Sequence, residues 1–335
     1  MSSELRNPRI GITIGDLNGI GPEVIIKSLR DSRLLNYITP VIYGSTKALS
    51  YYRKNLRLED FQFGSVKDDQ QFNEKKVNVV NCWSEMIEIK TGVATNESGK
   101  AAWMAIQKSV EDLKKGMIDA IVTAPINKNN IQSKEFNFPG HTEYFTDAFE
   151  VEDSLMLMAT ETLKVGVVTG HIPLKEVSKY ITDDRLTSKL NILEGALKND
   201  FGISKPKIAV LGLNPHAGEK GLLGKEDDDI IRPVVKRLKD NGKLIFGPYP
   251  ADGFFGKGEY KKFDAIMAMY HDQGLIPFKT ISFQQGVNYT AGLPIIRTSP
   301  DHGTAYSIAG QNTADASSMR TAIMMAYDIF KNKHR

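Results

Sequence analysis

The sequence is poor in cysteine and carries no excess of either charge. Its 335 residues include one cysteine, Cys82, which excludes an internal disulfide and a cysteine-based zinc site and fits a reducing compartment. Lys and Arg number 43 against 40 Asp and Glu, and a net charge of +3 is too small for a nucleic-acid-binding or polybasic membrane surface. We therefore expect small molecules as ligands, with no nucleic-acid or membrane partner.

Long apolar runs are also lacking. Residues 1–9 carry charge without an apolar core, which argues against a signal peptide, and no other stretch has the length and apolarity of a membrane span. We expect a cytoplasmic protein. A chain of this length exceeds the size at which one hydrophobic core keeps growing, so we expect two subdomains with a ligand-binding cleft between them.

What the chain does contain is an alternation of short apolar strands and amphipathic helical stretches, which favours a largely parallel α/β sheet. A strand at 10–14 leads through a glycine-rich turn into a predicted helix at 24–35, and Pro22 suits the first turn of that helix. The acidic run 226–229 is predicted to begin a helix, and the charged stretch 66–76 to form an exposed loop. The other predicted strands are 40–43, 77–80, 118–123, 165–169, 208–213 and 265–269.

Histidine is scarce, and three of the six histidines each follow an apolar strand: His171, His216 and His271. If those strands are neighbours, three imidazoles meet at one edge of the sheet, which is the ligand number of a catalytic zinc site with open positions for substrate. Three neutral imidazoles favour zinc, cobalt, nickel or iron over magnesium, and we rank zinc first, with cobalt and magnesium as alternatives because availability can override preference. Each histidine taken singly is also consistent with a hydrogen-bonded structural role.

The remaining polar groups suit an anionic substrate. His141 and Thr142 stand before a helical run, where backbone N–H groups, a hydroxyl and an imidazolium are able to hold a phosphate. The alternative is that Thr142 is an ordinary N-cap. Lys279, Asn288 and Arg297 are candidates for binding a carboxylate or phosphate, and Arg297 is capable of a bidentate contact. Each of these three is also consistent with a solvated surface residue.

The segment 299–310 is a tight, polar loop before the final helix. Such a loop suits an adenine ribose or a pyrophosphate. No GxGxxG motif follows a strand, so a Rossmann dinucleotide site is not supported, and Gly19–Gly21 is better interpreted as a turn. The candidate cofactor contacts in this loop are Ser299, Asp301, His302, Gly303 and Thr304.

Six long and chemically unusual motifs are spread over nearly the whole chain. They are GDLNGIGPE at 15–23, TAPINK at 123–128, GHTE at 140–143, LNPHAGE at 213–219, YHDQG at 270–274 and TSPDHGT at 298–304. As a set they resemble the 4-hydroxythreonine-4-phosphate dehydrogenase family. One departure is visible, because Leu17 and Asn18 stand where the family often has Pro-Ala.

The resemblance implies an α/β/α two-subdomain fold of the isocitrate/isopropylmalate dehydrogenase type, with a cleft and without a Rossmann fold. It also implies a homodimer with its active site at the subunit interface. We expect a nucleotide-side subdomain at 1–130 and 280–335, and a metal, substrate and dimerisation subdomain at 131–279. In the family, residues matching His171, His216 and His271 bind a divalent metal shared across the dimer, and the substrate-binding residues match His141, Thr142, Lys279, Asn288 and Arg297.

The activity implied by the resemblance is the metal- and NAD(P)-dependent oxidation of 4-phosphooxy-L-threonine. The 3-oxo acid formed would lose carbon dioxide to give 3-amino-2-oxopropyl phosphate, in pyridoxal phosphate biosynthesis. Lys279 and Asp272 are candidate proton carriers or orienting groups. The alternatives are a dehydrogenase of threonate or erythronate phosphate or of an aromatic dihydrodiol, a metal-dependent hydrolase or lyase that uses no nicotinamide, and a phosphometabolite sensor without turnover.

Overall fold

The computed structural model describes residues 6–67, 71–282 and 285–334. The chain forms two compact units. The first consists of Met1–Phe145 with Ile295–His334, and the second of Thr146–Pro294. None of the helices in these described ranges is both long and apolar enough to cross a membrane.

Strands and helices alternate along most of the chain, as predicted. The strands are β1 (Arg9–Thr13), β2 (Thr39–Gly44), β3 (Phe63–Val66), β4 (Val77–Asn81), β5 (Ala120–Thr123), β6 (Leu155–Ala159), β7 (Lys164–Thr169), β8 (Ile208–Leu211), β9 (Ile245–Tyr249), β10 (Ala265–Tyr270), β11 (Val287–Ala291) and β12 (Ile296–Pro300). The helices are α1 (Gly21–Leu29), α2 (Thr46–Asn55), α3 (Asn96–Lys114), α4 (His141–Ala148), α5 (Val177–Tyr180), α6 (Asp183–Asn199), α7 (Arg232–Asp240), α8 (Ala251–Gly256), α9 (His271–Ser282) and α10 (Ser317–Lys333).

In the first unit the strands pair in parallel, in the order β3-β4-β2-β1-β5-β12. Helices α3 and α10 pack against this sheet, and α1 packs on α10. Helix α1 carries Pro22 in its first turn, where the missing N–H has no intrahelical partner, as predicted. A reciprocal capping box between Thr95 and Ser98 fixes the start of α3.

In the second unit the strand order is β11-β6-β7-β10-β8-β9. Strand β6 is antiparallel to β11 and β7, whereas β7, β10, β8 and β9 run parallel to one another. The register places Tyr270 opposite Thr169 and Met267 opposite Val210. The carboxyl ends of β7, β10 and β8 therefore lie at one edge of the sheet, which is where ligands collect in α/β proteins.

The boundaries between the two observed units lie after residues 145 and 294. The predicted subdomain boundaries lay after residues 130 and 279. The segment before Phe145 stays with the first unit because Phe136 and Tyr144 pack on Trp103, with ring centroids 5.2 and 5.1 Å from the indole. The segment 287–291 belongs to the second unit because β11 pairs with β6 along its whole length. Neither the aromatic packing nor the strand pairing is visible from the apolar pattern.

All the predicted strands are present, each within two residues of its predicted ends. Strand β12 was missed because it carries Arg297 and Thr298 at fully buried positions, and polar residues do not signal a buried strand. The strands β3, β6, β9 and β11 were missed as well. Helix α1 ends at Leu29, earlier than predicted, and a 3₁₀ turn, Ser32–Asn36, follows it.

The charged stretches 66–76 and 226–229 were predicted to form an exposed loop and the start of a helix. Within 66–76, Val66 ends β3, residues 71–76 are mostly exposed, and 68–70 lie outside the described residues. The acidic run does begin a helix, since a π-helical turn, Asp227–Ile231, leads into α7. Asp227 in this turn is completely buried and accepts hydrogen bonds from a neighbouring loop.

Candidate active site

Two predicted metal ligands lie side by side at the carboxyl edge of the second unit's sheet. His171 follows β7 by two residues, and His271 directly follows β10. Because these strands pair in parallel, both imidazoles reach the same edge, and their ring centroids are 5.5 Å apart. The hydroxyl of Thr169 donates to the carbonyl of Met269 over 2.8 Å, which ties the two strand ends together.

The ring of His271 is oriented by its neighbour in sequence. Its Nδ1 lies 2.7 Å from Oδ1 of Asp272, and the Asp272 side chain is 70% exposed. When Nδ1 donates to this carboxylate, the lone pair of the ring lies on Nε2, which is the tautomer that a metal ligand requires. The structure thus gives Asp272 the position of an orienting group for His271.

A cavity of about 310 Å³ borders the two histidines. It combines polar groups with exposed apolar side chains, among them Leu174, which is 73% exposed. The lining residues are Gly170, His171, Ile172, Leu174, Val177, Tyr270, His271 and Asp272.

His216 lies in the loop after β8, within a short turn, Pro215–Gly221, in an unusual conformation. The residues from His216 to Lys220 all have φ between 45° and 82°, in the left-handed region. Within the described part of the chain, no group of three or more His, Cys, Asp and Glu side chains forms a metal-binding set. Within one chain, the rings of His171 and His271 are therefore adjacent, and His216 does not complete a three-residue metal site with them among the described residues.

Gln273 connects the strand ends that carry His216 and His271. Its Nε2 donates to the carbonyl of Gly212 over 2.6 Å, and its Oε1 accepts from the N–H of Met269 over 2.7 Å. A single side-chain amide therefore fixes the spacing of β8 and β10 at the edge where both histidines emerge. The motif YHDQG contained this residue, but sequence reasoning gave it no role.

The first unit contains a buried cation, Arg297 of β12, which is 2% exposed. Its Nη2 donates to Oγ1 of Thr123 over 2.7 Å, and its guanidinium lies 5.9 Å from the ring centre of Phe145. Burial lowers the pKa of Arg297 to about 10, against the opposing charge of Glu143. The surface-residue alternative for Arg297 is therefore wrong.

His141 begins α4 close to this cation. Its Nε2 is buried and has no hydrogen-bond partner among the described residues. Burial, together with the charges of Arg297 and Lys128, holds the pKa of His141 well below its usual value. The ring is thus neutral near pH 7, so the predicted imidazolium does not describe the free protein. A buried imidazole that experiences the charges of two cations suits an anionic ligand.

The start of α4 rules out an N-cap role for Thr142 and places Lys128 near the candidate anion site. Thr142 lies inside the first turn, because the helix begins at His141, so the N-cap alternative for Thr142 is wrong. Lys128, which sequence reasoning left without a role, has its Nζ 3.8 Å from the position of a Cβ on Gly140. Its ammonium makes no ion pair or hydrogen bond with the residues the structure describes. The motif TAPINK could have drawn attention to it.

Lys279 and Asn288 belong to the second unit. Lys279 is half-buried on α9, two turns beyond His271. Asn288 is half-buried on β11, opposite Met158, and its Oδ1 is a buried acceptor without a hydrogen bond in the described chain. Neither residue is a fully solvated surface group.

The loop 299–310 is held against the glycine-rich turn of the first unit. The hydroxyl of Tyr306 donates to Oδ2 of Asp16 over 3.0 Å, and the N–H of Ile20 donates to the carbonyl of Thr304 over 3.0 Å. Burial and the charge of Asp16 raise the pKa of Tyr306 to about 12, so this phenol stays protonated.

The candidate contacts of the loop differ in exposure. Ser299 is buried at the end of β12, whereas Gly303 is exposed and a Cβ there would meet nothing within 4 Å. Nδ1 of His302 lies 3.1 Å from the carbonyl of Gly303. The N–H of Asp301 donates to Oγ of Ser318 over 3.0 Å.

The departure from the family motif adds hydrogen bonds to the same region. Asn18 donates through Nδ2 to the carbonyl of Val93 over 2.8 Å and accepts at Oδ1 from the N–H of Lys90 over 2.8 Å. The glycine-rich turn is thereby tied to the segment before α3.

The fold and these clusters define an α/β oxidoreductase, as comparison with known proteins establishes. The chain is 49% identical over 328 residues to a 4-hydroxythreonine-4-phosphate dehydrogenase of Bacteroides thetaiotaomicron, covering 98% of this chain and 90% of that protein. A crystal structure of a 4-hydroxythreonine-4-phosphate dehydrogenase from Klebsiella pneumoniae superposes with a TM-score of 0.82 at 35% identity, over 98% of this chain and 99% of the other. A protein of Oceanobacillus iheyensis that is provisionally named D-threonate 4-phosphate dehydrogenase is 38% identical, over 98% and 99% of the two chains.

Within that class, residues 36–326 match the family described as pyridoxal phosphate biosynthetic protein PdxA, and the chain belongs to this family. The resemblance inferred from the six motifs and the predicted α/β fold class are confirmed.

Proposed function

We propose that this chain oxidises 4-phosphooxy-L-threonine with NAD or NADP to 2-amino-3-oxo-4-phosphooxybutanoate, which loses carbon dioxide to give 3-amino-2-oxopropyl phosphate. The names of the relatives support the substrate. The observation that carries the proposal is the buried cation of Arg297 beside the buried, unpartnered Nε2 of His141. A phosphate would accept charge-assisted hydrogen bonds from this guanidinium.

In this proposal the phosphorylated substrate binds to His141, Thr142 and Arg297, with Lys279 and Asn288 as further contacts. The guanidinium supplies two parallel N–H donors, and the N-terminus of α4 favours an anion through the helix dipole. Lys128 adds a positive charge next to Gly140. A phosphate dianion would also raise the pKa of His141 again and allow its Nε2 to donate.

We propose that His171, His216 and His271 hold a divalent metal, with zinc ranked first and cobalt or magnesium as alternatives. The donor set fits, because two imidazoles are adjacent and Asp272 favours the tautomer of His271 with a free Nε2. Because His216 does not join this pair within one chain, we propose a homodimer in which the three ligands come from both copies. The bound ion would supply Lewis-acid polarisation of the substrate's alcohol oxygen.

The nicotinamide cofactor is proposed to bind at Ser299, Asp301, His302, Gly303 and Thr304. This loop fits a dinucleotide because the bonds from Tyr306 and Thr304 fix its backbone, while Gly303 leaves room for a close approach. The cofactor would accept the hydride from C3 of the substrate. We assign the protein to the cytoplasm, where nicotinamide cofactors are abundant.

Two side chains are proposed to handle protons. In the oxidation the C3 hydroxyl gives up its proton as the hydride leaves, and in the decarboxylation C2 takes up a proton as the bond to the carboxylate breaks. Lys279 and Asp272 are the candidates for these transfers, and the contact of Asp272 with His271 favours an orienting role for it.

The second candidate substrate is D-threonate 4-phosphate, because one relative carries that name at 38% identity. It keeps the phosphate and the alcohol and replaces the amino group with a hydroxyl. An aromatic dihydrodiol carries no phosphate to bind at Arg297 and His141, so these residues favour the phosphorylated substrates.

The test is a spectrophotometric assay on chelator-stripped protein supplied with single metals. The two phosphorylated substrates are compared with NAD+ and with NADP+, and formation of the reduced nicotinamide is followed. The proposal predicts metal-dependent turnover with a higher kcat/KM for 4-phosphooxy-L-threonine. A higher kcat/KM for D-threonate 4-phosphate would reassign the substrate. Phosphate release without cofactor reduction would point to a hydrolase, and binding without turnover to a sensor.

A further inference from the structure

The loop that carries His216 has a conformation that its own residues do not favour. Four non-glycine residues in succession around Gly218, namely His216, Ala217, Glu219 and Lys220, have positive φ. L-amino acids rarely adopt the left-handed region, and a run of such residues persists only where the surroundings impose it. Something outside the turn must therefore hold it.

Asp227 is the group that holds it. Its side chain is completely buried, and its carboxylate accepts from the N–H of Leu213 over 2.9 Å and from the N–H of Asn214 over 3.1 Å. The Nδ2 of Asn214 donates to the same carboxylate over 3.0 Å and to Oε2 of Glu226 over 2.9 Å. These donors immediately precede the turn at Pro215.

The burial of Asp227 has no other explanation in the described chain. No Lys, Arg or His within those residues forms an ion pair with it, so its charge is compensated by the amide groups of this one loop. The fit is close, because a Cβ on Gly212 would lie 2.6 Å from Oδ1 of Asp227 and a Cβ on Gly218 3.2 Å from its Cβ. A buried carboxylate satisfied only by a loop fixes the conformation of that loop.

We propose that Asp227 is a positioning residue for His216: it fixes the left-handed turn and so presets the imidazole as a metal ligand. This inference rests on the proposed function, in which His216 binds the metal. In this proposal Asp227 acts through His216 and is not itself a ligand of the metal or the substrate. Removing the carboxylate of Asp227 should lower metal affinity about 10- to 100-fold, as the removal of other groups that orient metal ligands does.

The experiment compares Asp227→Asn with wild type, with His216→Ala and with the matched control Asp229→Asn. Asp229 is exposed and lies two residues away, and its side chain makes no hydrogen bond or ion pair in the described structure. Zinc affinity of the chelator-stripped full chain is measured by competition with a chromophoric chelator. Amide hydrogen exchange over residues 213–221 is measured on the same metal-free samples.

We expect Asp227→Asn to lose about 10- to 100-fold in zinc affinity and to exchange faster over 213–221, while Asp229→Asn matches wild type. If Asp227→Asn folds poorly, Asn214→Ala removes one bond to the same carboxylate and should move both readouts in the same direction, by less. Unchanged exchange and affinity in Asp227→Asn would overturn the role of Asp227. If His216→Ala binds zinc as tightly as wild type, the proposed metal site fails instead.

Discussion

The buried guanidinium of Arg297 leads to a prediction that separates binding from stability. Replacing Arg297 with Met keeps the length and most of the volume of the side chain and removes the charge. We expect the Arg297→Met protein to lose affinity for a phosphorylated ligand while its unfolding free energy stays the same or rises. A residue kept for packing would behave in the opposite way.

The magnitude follows from the pKa of the group. Burial lowers the pKa of Arg297 from 12.5 to about 10, which corresponds to about 3 kcal/mol against the charged form, at about 1.4 kcal/mol for each pH unit. Removing the charge from the free protein relieves up to this amount. The bound phosphate loses a buried, charge-assisted pair worth about 2–5 kcal/mol, a fall in affinity of about 30-fold or more.

Two measurements check this prediction. Urea unfolding gives the free energy of unfolding, and calorimetric titration with 4-phosphooxy-L-threonine gives the affinity. The matched control is Arg30→Met, because Arg30 pairs with Asp60 at the surface of the same unit and should change stability by less than about 0.5 kcal/mol. A loss of more than about 2 kcal/mol of stability in Arg297→Met, or unchanged affinity, would refute the reasoning.

Three further predictions concern the first unit. Because the pKa of His141 is far below its value in the unfolded chain, the unfolded state alone takes up this proton below about pH 6.5, so stability falls as pH is lowered from about 7.5 to about 5.5. In His141→Gln this part of the pH dependence should disappear from urea unfolding curves, and an unchanged slope would contradict the assignment. Asp16→Asn should destabilise the protein by about 3 kcal/mol, because Asp16 is fully buried and accepts from Ser98, Asn130 and Tyr306. It should also raise the KM for the nicotinamide more than the KM for the substrate, and equal changes in both would argue against a cofactor role for the loop 299–310. Lys128→Gln should weaken phosphate binding about threefold to tenfold and raise the pKa of His141 measured by NMR, whereas the exposed control Lys134→Gln should do neither.

The strands that carry the candidate ligands could be predicted because they are short, apolar and fully buried. The segments before His171 and His271 are of this kind, and their pairing in parallel brings the two rings together. The position of His216 could not be predicted in the same way. Its loop takes a left-handed course that depends on Asp227, which is eleven residues further along the chain and looks like part of an acidic surface run.

The burial of charged side chains was the other feature that could not be predicted from the sequence. Arg297 and His141 lie far apart in the chain, and only in the folded first unit do burial and the nearby cation lower the pKa of the imidazole together. Polar residues within a segment are ordinarily evidence against a buried strand. For this reason neither β12 nor the burial of Arg297 was predicted.

We propose that this chain couples oxidation of a phosphorylated alcohol to loss of carbon dioxide. The most direct measurement counts the products of one reaction of metal-loaded protein with 4-phosphooxy-L-threonine and a limiting amount of NAD+ or NADP+. The account predicts equal amounts of reduced nicotinamide and carbon dioxide, with the phosphate ester intact. Free inorganic phosphate without reduced nicotinamide would contradict it.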